Sequence, residues 1–84
     1  MAYLLDGNAL AGDLFAAFGR EMTDVVGRCG NCGTASVVAE LCVYARAPGA
    51  VGRCPTCDVV VMVVVTIGGD CHVHLPALEL QEPA

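Results

Sequence analysis

Apolar positions change their spacing along the chain, and each spacing predicts a different element. Leu10, Leu14, Phe15 and Phe18 fall at i, i+4, i+5 and i+8, which is one face of a helix. Asp6 stands where an N-cap belongs and Gly19 where a helix ends, so residues 1–20 read as an N-terminal helix segment. Gly7 and Gly12 weaken that helix by up to about 1 kcal/mol each where they lie in its interior, so packing must hold it. Glu21 to Val26 reads as extended, and Ser36 to Tyr44 as a strand rich in β-formers. Ala47-Pro48-Gly49-Ala50 is a turn signal, after which Val51 leads back along a hairpin. Gly68-Gly69-Asp70 marks a second hairpin turn, with Cys71 to Leu75 as its returning strand. Residues 21–76 thus form a β core, and residues 77–84 a tail, polar and frayed from Glu79 onward.

Val59 to Ile67 departs from the alternation of a half-wet strand, because almost every position is apolar. Both of its faces call for cover. Either the helix covers one face and the segment Leu75 to Leu80 folds over the other, or a protein partner or a second copy of the chain docks on it.

With 84 residues the chain is one small domain that hides only about 60 to 65 % of its unfolded surface, so it needs a staple. Val26-Gly27-Arg28-Cys29-Gly30-Asn31-Cys32 recurs as Val51-Gly52-Arg53-Cys54-Pro55-Thr56-Cys57. Two Cys-x-x-Cys turns point four sulfurs at one ion and complete the tetrahedron that zinc favours, with Cys29, Cys32, Cys54 and Cys57 as ligands and one Zn(2+) per chain. Gly33 supplies a left-handed residue that closes the first turn, and Asp58 takes the equivalent place in the second. A site that exists only in the folded chain converts binding free energy, on the order of 10 kcal/mol for zinc-finger peptides, into folding free energy.

Charge narrows the partners. Arg20, Arg28, Arg46 and Arg53 face nine carboxylates, for a formal charge of −5, and four thiolates with one divalent ion take it to about −7. Nucleic-acid binding needs clustered cations, which argues against such a partner. Arg28 and Arg53, each just before a Cys-x-x-Cys, read instead as neighbours that offset the thiolate charge. His72 and His74 share one strand face and could hold a second ion only if the fold added a further ligand. Cys42 and Cys71 read as small apolar strand residues rather than a disulfide. Met1 to Leu5 has neither the basic start nor the apolar core of a signal peptide, and the longest apolar run is too short to span a bilayer. These features predict a cytoplasmic, soluble protein with reduced thiols.

Asp6-Gly7-Asn8-Ala9-Leu10-Ala11-Gly12, Glu21-Met22-Thr23, the two Arg-Cys-x-x-Cys turns and Arg46-Ala47-Pro48-Gly49 together resemble an uncharacterised family of short actinobacterial zinc-ribbon proteins, a domain of unknown function. The likeness covers roughly residues 4 to 67; Asp58 and the Cys71-His72-Val73-His74 segment stand outside its pattern. It implies a zinc ribbon and a metal, and no activity.

The expected fold is a small α+β metal-bound domain, an N-terminal helix with zinc-ribbon-like antiparallel β-hairpins. Four committed cysteines leave no open coordination position, so the chain reads as a protein-interaction module with a structural metal and not as an enzyme. The alternatives are a rubredoxin-like iron electron carrier, opposed by the presence of only four aromatic residues, and a nucleic-acid-binding ribbon, opposed by the charge. A thioredoxin-like redox role would need a Cys-x-x-Cys that opens a helix, and neither copy does.

Overall fold

A computed structural model describes residues 3–46 and 49–81. The element order is β1 (Tyr3–Asp6), a 3-10 turn (Gly7–Leu10), α1 (Ala11–Phe18), β2 (Val26–Cys29), β3 (Ala35–Val37), a second 3-10 turn (Val38–Glu40), β4 (Cys42–Arg46), β5 (Gly49–Arg53), β6 (Val60–Ile67), β7 (Asp70–His74) and β8 (Leu78–Gln81). The strands form two antiparallel sheets, ordered β1-β4-β5-β6-β7 and β3-β2-β8. This is the expected α+β architecture of one N-terminal helix and antiparallel hairpins.

The helix is shorter than its periodicity suggests. Asp6 does act as a cap, its carboxylate accepting from Asn8 N at 3.1 Å, but it caps the 3-10 turn, and the α-helix proper starts at Ala11. Gly7 explains the difference. It passes so close to the second 3-10 turn that a Cβ there would lie 1.7 Å from the Val38 carbonyl oxygen, and this approach fixes the chain before the helix can begin. Gly19 ends α1 in the left-handed region at φ 74°, its N–H bonded to Phe15 O, as the sequence implied. Leu10 and Leu14 enter the core, whereas Phe15 and Phe18 remain 54 % and 39 % exposed. The helix rests on β7, and a single edge strand is too narrow a bed for the whole apolar stripe.

Two segments expected as continuous strands are broken. Residues 21–25 turn rather than extend: Val25 N bonds Met22 O, and the Met22 side chain plugs the core at 1 % exposure. Ser36 to Tyr44 divides between the sheets, because Glu40 reaches back to Val37 N while Val38 N and Ala39 N turn to the carbonyls of Val25 and Thr23. The hairpin around the turn signal is present as β4 and β5, registered Tyr44 to Val51, although Ala47 and Pro48 lie outside the described residues. Gly68 and Gly69, both at positive φ, join β6 to β7.

The tail differs most from expectation. Leu78–Gln81 is neither frayed nor folded over Val59 to Ile67; it pairs with β2, from Cys29 opposite Leu78 to Val26 opposite Gln81. Its alternation of Leu78 and Leu80 with Glu79 and Gln81 is that of a half-buried strand, and Leu78 is buried.

One core lies beneath the inner face of the five-stranded sheet. Leu14, Met22, Val38, Leu41, Val43, Val61, Met62 and Val64 are its fully buried members, and Cys29 and Cys54 join the same cluster. A β-bulge lets β6 give this core two consecutive residues, since its register against β5 steps from Gly52–Met62 to Arg53–Val60 and leaves Val61 over. The outer face is open. Tyr44, Val51, Val60, Val63 and Val65 are half-buried there, and a shallow groove of about 300 Å³ runs over Tyr44, Val51, Val63 and Val65. Among the described residues no helix is long and apolar enough to cross a membrane.

Candidate metal centre

Each copy of the Val-Gly-Arg-Cys-x-x-Cys repeat builds the same object. Val26–Cys29 is the central strand of its sheet and Gly49–Arg53 a central strand of the other, and each runs into a turn that carries two cysteines. In the first turn Gly33 N bonds Cys29 O and Cys29 N bonds Thr34 O, all at 2.9 Å. In the second, Asp58 N bonds Cys54 O and Cys54 N bonds Val59 O, again at 2.9 Å. Both turns close through a left-handed residue, Gly33 at φ 77° and Asp58 at φ 66°. Asp58 is the non-glycine residue at positive φ among those described, and an aspartate tolerates that region better than most side chains.

The two turns meet and bring the Sγ atoms of Cys29, Cys32, Cys54 and Cys57 within 4.8 Å of one another. Cys29 to Cys57 and Cys32 to Cys54 are both 3.7 Å apart. A tetrahedron of sulfurs about 2.3 Å from a central zinc has edges of about 3.8 Å, so the donor set fits that ion. Together the hairpins and the four-cysteine cluster form a zinc-ribbon-like fold, and the cluster joins the two sheets, β2 supplying one turn and β5 the other.

Hydrogen bonds to sulfur complete the arrangement. Asn31 N donates to Cys29 Sγ and Thr56 N to Cys54 Sγ, each at 3.4 Å, as the repeat requires. The second cysteine of each turn is treated differently. Cys32 is exposed and lies 3.3 Å from Thr34 Oγ1; hydrogen bonding by the Thr34 side chain, and then by its backbone, lowers its thiol pKa to about 6. Cys57 receives the Asn31 side-chain amide at 3.4 Å, the largest cause of its lowered pKa, followed by a backbone bond from Val59. At Cys29 the backbone N–H of Cys32 favours the thiolate, but burial and the neighbouring thiols outweigh it, and the pKa stands above its ordinary value.

Each arginine before a cysteine turn also makes a hydrogen bond within that turn. Arg28 Nη1 donates to Gly33 O at 3.1 Å and Arg53 Nη1 to Asp58 O at 3.3 Å, so each guanidinium clamps the carbonyl just beyond the second cysteine of its own turn. Arg53 also meets the Asp58 carboxylate at 3.4 Å and lies over the Tyr44 ring, 5.4 Å from its centroid. The groups that do reach sulfur from side chains are Asn31 and Thr34, and nothing in the sequence distinguishes them from other polar turn residues.

His72 and His74 sit exposed on the outer face of β7, and no group of three or more candidate ligands among the described residues includes them. Cys42 and Cys71 are half-buried strand residues, as expected. A disulfide between them is excluded: β4 and β7 are three strands apart, and the register puts Cys42 on the outer face and Cys71 on the inner one. Burial, and then the Asp13 carboxylate on α1, raise the Cys71 thiol pKa.

The model of a family of unknown function (DUF6510) matches residues 1–82, and the chain belongs to that family. The match extends through the Cys71-His72-Val73-His74 segment and β8, beyond the region on which the sequence resemblance rested. No curated protein and no solved structure matches the chain.

Proposed function

We propose that this member of a family of unknown function is a small zinc-ribbon protein, in which Cys29, Cys32, Cys54 and Cys57 hold one structural zinc ion and the outer face of the five-stranded sheet docks on another protein or a second copy of the chain. The observation that carries the metal reading is the pair of 3.7 Å sulfur edges, one from each turn to the other, which match the edges of a zinc tetrathiolate. When bound, the ion supplies cross-linking and no reaction, because four protein ligands leave no position for water or substrate. The docking reading is supported by the half-buried Tyr44, Val51, Val63 and Val65, an apolar face that neither α1 nor β8 covers. Reduced thiols suit a cytoplasmic protein.

Metal content per chain, measured by elemental mass spectrometry on untagged protein purified under reducing conditions, tests the first part. One colourless zinc per chain is the expected result; iron with visible absorbance would favour an electron carrier, and folded protein without metal would refute the site. Light scattering and affinity capture on the chain and on V51D/V63D test the second. The substitutions should abolish association and leave metal content unchanged, and association that survives them would move the interface elsewhere.

A further inference from the structure

The two turns are copies, yet one side chain breaks their symmetry. Asn31 and Thr56 occupy equivalent places, and each backbone N–H serves the first sulfur of its own turn. Only Asn31 extends its side chain across to the other turn, its Nδ2 donating to Cys57 Sγ at 3.4 Å. An asparagine carries an N–H donor one atom farther from the backbone than the threonine hydroxyl, and it has no charge to be desolvated. The acceptor is the second cysteine of its turn: Thr56 N serves Cys54 and not Cys57, so the Asn31 amide adds to Cys57 a donor from the other turn beside the backbone bond from Val59. With four thiolates around a divalent ion the centre carries about −2, in a chain already at −5, so a donor at sulfur disperses charge where it is most concentrated. The bond also ties a residue of the three-stranded sheet's turn to a ligand on the five-stranded sheet's turn.

We infer that Asn31 is a positioning residue of the metal centre, whose cross-turn amide fixes Cys57 and raises the affinity of the four cysteines for their ion. The inference rests on the proposed zinc site. Its test is a chelator competition for zinc, together with the sulfur-to-metal charge-transfer band of the cobalt-substituted protein, on the full chain and on N31A, N31D and T56A. N31A should bind zinc about tenfold or more weakly than the unaltered chain and shift the cobalt band, as loss of a bond to a metal ligand does. N31D, which sets a carboxylate against the thiolate, should be weaker still, and T56A should match the unaltered chain in both readouts. Asn31 is exposed, so the variants should fold when loaded; should N31A fail to, Asn31→Ser keeps a polar residue too short to reach Cys57 and should show the same loss. N31A that equals T56A in affinity and cobalt spectrum overturns the inference and leaves the zinc site standing. An unaltered chain that takes up neither zinc nor cobalt overturns both.

Discussion

Glu21-Met22-Thr23 shows how three adjacent residues divide the work of one turn. Met22 fills the core, while Glu21 accepts hydrogen bonds from both the backbone N–H and the hydroxyl of Thr23. These bonds, the hydroxyl's first, hold the Glu21 carboxyl below its ordinary pKa of 4.5. A carboxyl depressed in the folded state adds stability above its unfolded pKa and loses it as pH falls through the folded value. Thr23→Val keeps the shape and the backbone bond but removes the hydroxyl, and should raise the Glu21 midpoint part of the way back toward 4.5. A carboxyl titration by carbon-detected NMR reads this directly, and an unmoved midpoint would deny the hydroxyl its role. Asp58 is a second case at this scale. Its left-handed backbone closes the turn as Gly33 does, and its carboxylate and carbonyl both face Arg53, an exposed pairing worth about 0 to 1 kcal/mol.

At the scale of elements, β8 decides the shape of the first metal turn. It pairs along the whole of Val26–Cys29, and Gly30 N bonds Ala77 O at 2.7 Å, so the strand leading into Cys29 is gripped on both sides. Gly27 is what lets Leu78 into the core: a Cβ there would lie 2.7 Å from the Leu78 side chain. The two positions should therefore be coupled. G27A should cost about 1 to 3 kcal/mol by overpacking, and L78A about 2 to 4 kcal/mol by leaving a cavity. G27A/L78A should cost less than the sum of the two, because the new methyl enters the space the leucine vacates. Denaturant unfolding of the four zinc-loaded proteins measures the cycle; additive losses would mean that Gly27 is not set by Leu78.

Across the whole molecule, the two sheets share a core and a cluster of cysteines, and with the proposed zinc bound the cluster would be the stronger link for so small a chain. A zinc site contributes on the order of 10 kcal/mol to folding, comparable with the entire 5 to 15 kcal/mol stability of an ordinary domain. Chelation under reducing conditions should therefore unfold the chain, and returned zinc should refold it, as followed by far-ultraviolet circular dichroism. C54S should remain unfolded with zinc present, while C42S/C71S should behave as the unaltered chain. A chain that keeps its native spectrum without metal would transfer the credit to the hydrophobic core.

The cysteine repeat, the helix end at Gly19, the Gly-Gly hairpin and the long apolar strand were legible in the sequence because each is a local pattern with a local cause: a chelating turn, a left-handed cap, a turn type, a run of β-branched apolar residues. The alternation of Leu78 to Gln81 was equally local, but its partner lies some fifty residues earlier in Val26–Cys29, and no short-range signal distinguishes a paired strand from a tail. Gly7's closeness to Val38, the division of residues 36–44 between two sheets and the open outer face likewise depend on which segments meet. Sequence alone determined which atoms could bind a metal and which residues wanted burial. Tertiary structure decided which hydrogen bonds reach those sulfurs and which apolar face stays uncovered, because both are distances between residues remote in the chain, and spacing along a chain encodes only its neighbours.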